Sequence, residues 1–347
     1  MPWILVVLLG LSTIVRYSFD EDEGGWIAGG KGGAVRIARG AADVKNGAGA
    51  LALDYTVGDG VAVAVLPLRG VATARIDSVR FWMKTDVPTG VVVTIAERKP
   101  GGRYNAICWS TGNQWQRVEL RVQDFSLAER PADGPDEPLD MGAVETIGVL
   151  DMSSLTGVRV DPNAAYVAES HAGPHSLFLD DFELASGGER GQDGPATIDD
   201  FAPPQLRWFT PGGVELKPEG RGLRAIYRQM DERSIVLRRP LGKVDLRGKE
   251  FLEFDVASEG HAFLTMSFEG KDGGRFNANV EVDGGGRMEH REVLFSAFEN
   301  DEGKVQWDRL KSFSIIDVTG TITGQSARNS LWIGNIRGAD EKAGPRR

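Results

Sequence analysis

Three tryptophans, Trp82, Trp109 and Trp115, fall in one stretch of chain together with Lys84, Asn105, Arg117 and Glu119. Flat indoles beside hydrogen-bonding side chains suit sugars. The C–H faces of a pyranose stack on the ring while polar neighbours take the hydroxyls. This is binding chemistry and breaks no bond. Groups suited to bond-breaking are sparser. His171 and His175 stand four apart in AESHAGPHS, a Gly-Pro segment that does not hold helical spacing, so they make a weak zinc pair. His261 and His290 show no sequence partners. No Gly-x-Ser-x-Gly nucleophile elbow and no phosphate loop occurs, and GGKGG at 29–33 lacks the Walker spacing. The single cysteine, Cys108, excludes an internal disulfide and a cysteine-rich zinc site.

The elements that must position the tryptophans are strands, and an internal repeat reveals their faces. ERKPGGRYNA (97–106) and EGKDGGRFNA (269–278) agree at seven of ten positions. Collinear matches flank them. GALALDYTV (49–57) faces RGLRAIYRQ (221–229), placing Tyr55 against Tyr227. VRFWMKTD (79–86) faces LEFDVASE (252–259), Phe19 and Trp26 face Phe201 and Trp208, and SLFLDD (176–181) faces SLWIGN (330–335). In LEFDVASE, Leu252, Phe254 and Val256 alternate with polar residues, a period of two that marks one buried face. By correspondence Val79, Phe81 and Met83 point inward, and Arg80, Trp82 and Lys84 outward. The same logic buries Tyr104, Ala106, Cys108, Val118 and Leu120, and turns Asn105, Trp109, Trp115, Arg117 and Glu119 out. The second copy has Asp255, Glu281 and Met288 where the first has its tryptophans. The shared Gly-Gly is read as a hairpin turn.

The chain has 347 residues, 45 of them glycine, enough for two domains of ordinary size in a turn-rich β architecture. A net charge of −10 without a basic stripe excludes nucleic acid as the main partner. Residues 1–14, MPWILVVLLGLSTI, are too short to span a bilayer comfortably. They resemble the apolar core of a signal segment, although no Lys or Arg precedes them. They have no counterpart in the second copy, which begins near Thr197. SGGERGQDGP (186–195) reads as a linker.

The order SFDEDEGGW, GALALDY, VRFWMKTD, NQWQRVELRVQDF, IGVLD, LFLDDFEL resembles the galactose-binding-like jelly-roll modules. The pattern is similar to carbohydrate-binding module family 11 and the complex I intermediate-associated protein 30 family. It covers most of 15–185 and, more weakly, 197–338. The resemblance implies a non-catalytic β-sandwich with one structural calcium between first- and last-strand carboxylates. Carried over, these are Asp20 or Glu21 with Asp180 or Asp181, oxygen donors of the kind calcium takes. Gly334 and Asn335 replace the two aspartates in the second copy, so no second calcium is expected. Glu253, Asp255 and Glu259 come near the Glu-x-Asp-x-x-Glu strand of laminarinase-like glycosidases, but their spacing is one residue too long, and a solvated strand face is the expected reading.

The sequence thus predicts an all-β protein of two tandem antiparallel jelly-roll sandwiches. Residues 1–14 form a signal segment, 15–185 the first domain, 186–196 a linker, 197–338 the second domain and 339–347 a polar tail. The expected function is polysaccharide binding by a secreted, periplasmic or extracellular protein, at Trp82, Lys84, Asn105, Trp109, Trp115, Arg117 and Glu119. Two other classes make distinct demands. A jelly-roll polysaccharide lyase or hydrolase needs a groove with clustered carboxylates or an Arg-His-Tyr set. A protein adaptor or assembly factor needs a broad apolar patch. The oligomeric state leaves no trace in the sequence.

Overall fold

Alternating apolar residues and frequent turn signals give twenty-two strands among the described residues of a computed structural model. Those residues are 12–98, 101–129, 139–156, 173–186, 196–201, 207–210, 214–230, 234–242, 244–271, 273–298 and 305–340. The first sandwich contains β1 (Ser12–Tyr17), β2 (Ile27–Gly30), β3 (Gly33–Ala38), β4 (Ala50–Val57), β5 (Ala62–Pro67) and β6 (Ser78–Thr85). It continues with β7 (Thr89–Glu97), β8 (Arg103–Ser110), β9 (Gln116–Arg121), β10 (Ser126–Glu129), β11 (Val144–Asp151) and β12 (Gly173–Ser186). One sheet runs β3-β4-β12-β6-β9, with β1 also on β12, and the other runs β10-β8-β7-β11-β5-β2.

The second sandwich repeats this plan. Its strands are β13 (Thr197–Asp199), β14 (Val214–Pro218), β15 (Gly222–Arg228), β16 (Ile235–Pro240), β17 (Phe251–Ser258), β18 (Ala262–Gly270), β19 (Arg275–Val282), β20 (Glu289–Leu294), β21 (Leu310–Asp317) and β22 (Arg328–Ala339). The sheets run β14-β15-β22-β17-β20, with β13 on β22, and β16-β21-β18-β19. Short helices α1 (Met152–Thr156) and α2 (Thr319–Thr323) follow β11 and β21. Every ladder is antiparallel, as the jelly-roll reading requires.

The predicted inward residues do form the cores. Val79, Phe81, Met83, Tyr104, Ala106, Cys108, Val118 and Leu120 are buried between the first two sheets. Phe182 stacks on Phe81 at 5.5 Å and meets Trp26 edge-on at 4.8 Å. In the second core Phe268 lies 4.7 Å from Phe313, and Trp208 is fully buried. Each such side chain contributes about 1.5–3 kcal/mol by leaving water. Burial also pushes the Cys108 thiol up to about 12, so it stays protonated.

Two details sharpen the repeat. On β12, three steps from Asp180 to Glu183 face two on β6, and on β22, Gly334 to Arg337 face two on β17. Each extra residue is a β-bulge, and the bulge residues Asp181 and Asn335 have φ of 46° and 49°. Asp and Asn tolerate this left-handed conformation better than other residues with a side chain. The hairpins β7–β8 and β18–β19 form as expected, although only Gly273 of the two Gly-Gly pairs has positive φ.

Two predicted boundaries move. β1 starts at Ser12 and pairs Ser12 with Ser186, so residues 12–14 belong to the first sheet instead of lying outside the domain. β22 runs to Ala339, into the predicted polar tail. Most of the signal segment and most of the linker lie outside the described residues, as does His171.

The sandwiches meet along β8, β10 and the segment 122–124. Trp109 is 4% exposed and sits in the hydrophobic cluster of the second sandwich. Ser126 Oγ donates to the Leu241 carbonyl at 2.7 Å. At Gly242 the backbones approach so closely that a Cβ would lie 1.5 Å from the Gln123 carbonyl oxygen.

Candidate functional site

The outer face of the β3-β4-β12-β6-β9 sheet gathers five of the seven predicted ligand-binding residues. Trp82 on β6 lies directly opposite Arg117 on β9, and Arg80 opposite Glu119. Lys84 lies opposite Phe178 of β12, and Trp115 precedes β9. Trp115 packs with Ala38, Ala52 and Phe178 in a small apolar cluster on this outer face.

The segment 39–49, between β3 and β4, folds back over part of the face. Lys84 Nζ donates to the Ala42 carbonyl at 2.5 Å and to Asp43 Oδ1 at 2.8 Å. It lies 4.5 Å from the Phe178 ring centre and 5.7 Å from that of Trp115. At 8% exposure Lys84 is a buried anchor and not the solvent-facing hydrogen-bond donor expected from its strand position. Lys45 Nζ sits 4.4 Å from the Trp82 ring centre and covers one face of that indole. Glu119 pairs with Arg80 at 3.2 Å. Arg117 is exposed.

Trp109 and Asn105 are elsewhere. Both lie on β8, in the opposite sheet, so the three tryptophans do not share one surface. Trp109 does face out of its own sandwich, as alternation requires, but the second sandwich covers it. Asn105 is half-buried, and its Oδ1 has no hydrogen-bond partner among the described residues.

What remains open is a cleft of about 550 Å³ between the sandwiches. The first sandwich lines it with Trp82, Pro88, Thr111, Gln114, Trp115, Gln116 and Arg117. The second contributes Glu215, Leu216, Lys217 and Pro218 of β14. Glu215 and Lys217 pair at 2.8 Å and both are about half exposed. Gln114 and Gln116 flank Trp115 in sequence and were visible there. The β14 wall was not, because nothing in VELKP announces which surface it will face.

Three of the four carboxylates expected to hold calcium, Asp20, Asp180 and Asp181, are committed to protein donors. Asp180 Oδ2 accepts the Lys45 and Asn46 backbone N–H groups, both at 2.9 Å, and its Oδ1 accepts the Asp181 N–H at 2.7 Å. Asp181 accepts Arg16 Nη2 at 2.5 Å and Asn46 Nδ2 at 2.6 Å. Asp20 Oδ1 accepts the Ala48 N–H at 2.5 Å, and this bond chiefly holds its carboxyl below the usual carboxylate range. Burial raises the Asp180 carboxyl despite its N–H donors. Glu21 is exposed, and its backbone carbonyl accepts from Arg39. Calcium takes six to eight oxygens. At Asp20, Asp180 and Asp181, N–H groups and a guanidinium fill the positions a cation would need, so these three residues do not fit it. They tie down the segment 39–49 instead.

A second cleft, of about 470 Å³, brings together Asp54, Tyr55, Asp86 and His175. His175 Nδ1 lies 2.9 Å from Asp86 Oδ2, and Arg36 pairs with Asp54. This comes nearest to an Arg-His-Tyr set. Tyr55 Oη, however, donates to buried Asp151 at 2.6 Å, and burial followed by that carboxylate pushes its ionisation far upward. A phenol so held does not serve as a base near neutrality. The glycosidase-like strand is also dispersed, since Glu259 pairs with Arg224 at 2.6 Å.

No family model and no curated protein matches the sequence. Solved structures do resemble it distantly. The tandem pair of family 22 carbohydrate-binding modules from Paenibacillus barcinonensis Xyn10C covers 95% of this chain and 98% of its own, at 11% identity and a TM-score of 0.36. Its single xylan-binding module covers 52% and 97%, at 14% identity and 0.35. A family 11 module from Clostridium thermocellum, in complex with a β-1,3-1,4-mixed-linked tetrasaccharide, covers 42% and 96%, at 16% identity and 0.33. Likeness of this size assigns no ligand to the present chain.

Proposed function

We propose that the protein binds a polysaccharide without cleaving it, in the cleft between the sandwiches, and that it acts outside the cytoplasm. The observation that carries this reading is the convergence of Trp82 and Trp115 on one cleft with Arg117, Gln114 and Gln116. Indoles supply stacking surface, and the amides and guanidinium supply hydroxyl ligands in the same trough. Trp109 has no part in it. A sugar chain lying along Trp82 and Trp115 meets Glu215 and Lys217 on the far wall, so the second sandwich contributes to recognition.

Affinity gel electrophoresis of the full chain against xylan, mixed-linked glucan, galactan and other plant, algal and bacterial polysaccharides tests the reading. Retardation by at least one of them is expected. Trp82→Ala and Trp115→Ala should each weaken it at least about tenfold, the usual scale for a buried aromatic anchor. Retardation unchanged in both variants would refute the cleft. No retardation by any polysaccharide would refute the function.

A further inference from the structure

We propose that Glu253, His290 and Glu292, on the outer face of the second sandwich, form a divalent-metal site of the zinc class. The register brings them together. Glu253 on β17 lies directly opposite Glu292 on β20, and Asp255 opposite His290. Alternation puts all four side chains on one face. One ligand atom from each of Glu253, His290 and Glu292 lies within 4.8 Å of the others.

The hydrogen bonds around the cluster orient it for a cation. His290 Nδ1 is 2.8 Å from Asp255 Oδ1. An ionised carboxylate only accepts, so Nδ1 carries a proton, and Nε2 is the ring atom turned toward Glu253. Asp255 is itself held by Asn335 Nδ2 on its other oxygen. A carboxylate that fixes the tautomer of a ligating imidazole is the usual support of a protein metal site. Nε2 lies 3.9 Å from Glu253 Oε2, too far for a hydrogen bond and close to a shared-ligand separation. Tetrahedral zinc with bonds of about 2.1 Å needs donors about 3.4 Å apart. Binding zinc would therefore draw the three donors together from within 4.8 Å to that separation.

Glu253 is 2% exposed and gives its Oε1 to Arg337, leaving Oε2 on the side of His290. One imidazole nitrogen with two carboxylates suits zinc and its neighbours better than calcium or magnesium, which prefer all-oxygen shells. The half-exposed imidazole leaves one coordination position to water. The first sandwich serves as an internal control. Its corresponding residues, Arg80, Trp82, Arg117 and Glu119, put guanidinium groups where the second has Glu253 and His290.

Titration of chelator-stripped full-length protein with zinc, followed by calorimetry and metal analysis, tests the site. One zinc per chain is expected, calcium in excess should not displace it, and cobalt should give the visible absorption of a four-coordinate ion. His290→Gln should abolish uptake. Asp255→Ala should weaken it about 10- to 100-fold, as losses behind a ligand do. His290 is half exposed, so its replacement leaves the fold intact, and Glu292→Gln provides a second variant with the same expected loss. Absence of zinc uptake, or uptake unaltered by His290→Gln and Glu292→Gln, would overturn the proposal. Glycan binding in the cleft is untouched by either result.

Discussion

Tyr55 and Tyr227 occupy the same position in the two copies and make the same bond, Oη donating at 2.6 Å to Asp151 and to Asp317. The far oxygen of each carboxylate is served locally, by Thr89 and Ser153 in one case and Thr319 in the other. Burial first and the carboxylate second push both phenols well above their ordinary range. The folded state therefore keeps a proton that the unfolded chain releases near pH 10. Stability from these groups is complete below about pH 10 and falls as the pH rises beyond it. Urea denaturation across that range should show a shallower alkaline decline in the Tyr55→Phe, Tyr227→Phe double variant. At neutral pH, Tyr55→Phe should cost about 1–3 kcal/mol, the usual effect of depriving a buried acceptor. Tyr227→Phe should cost less, because Gln229 Nε2 still donates to Asp317 Oδ2 at 2.9 Å.

Strand β8 shows how far the sequence can be read and where reading stops. Period-two alternation places Tyr104, Ala106 and Cys108 inward and Asn105 and Trp109 outward, and the structure agrees. Outward does not mean exposed, however. Whether solvent or a second sandwich meets Trp109 depends on contacts far along the chain, which no local pattern encodes. The segment covering Lys84 is a similar case. It lies between β3 and β4, where the second copy has only a tight turn between β14 and β15, so the repeat gives no template for it. Asp181 could have been read correctly. Its partner Asn335 keeps a tolerance for positive φ and lacks a charge, which points to a backbone role over a cation ligand. Trp109→Ala should destabilise the protein by about 3–5 kcal/mol in denaturant titration, as for other buried aromatics. Trp109 itself does not line the cleft, so polysaccharide retardation by the folded variant should persist.

Across the whole molecule, a buried ionic cluster joins the halves. Asp124 of the first sandwich accepts Arg207 Nη1 at 2.9 Å and lies 3.9 Å from Arg239, and both arginines also reach Asp199. Burial raises the Asp124 carboxyl, but the two guanidinium groups outweigh it and hold the group below its usual range. Its contribution is present above the ordinary carboxylate pKa and disappears as the pH falls through the lowered one. Calorimetry should give a single unfolding transition near neutrality that persists into mild acid. Asp124→Ala leaves Arg207 and Arg239 with one shared carboxylate, should cost about 3–5 kcal/mol, and should split the transition in two. Trp109 makes the partnership harder still to undo. A chain cut between residues 186 and 197 would leave one fragment with a bare indole and the other with a vacancy where that indole belongs, both invitations to aggregate. Tandem modules are commonly treated as beads that can be lost, shuffled or expressed singly; these two have become halves of one inheritable object.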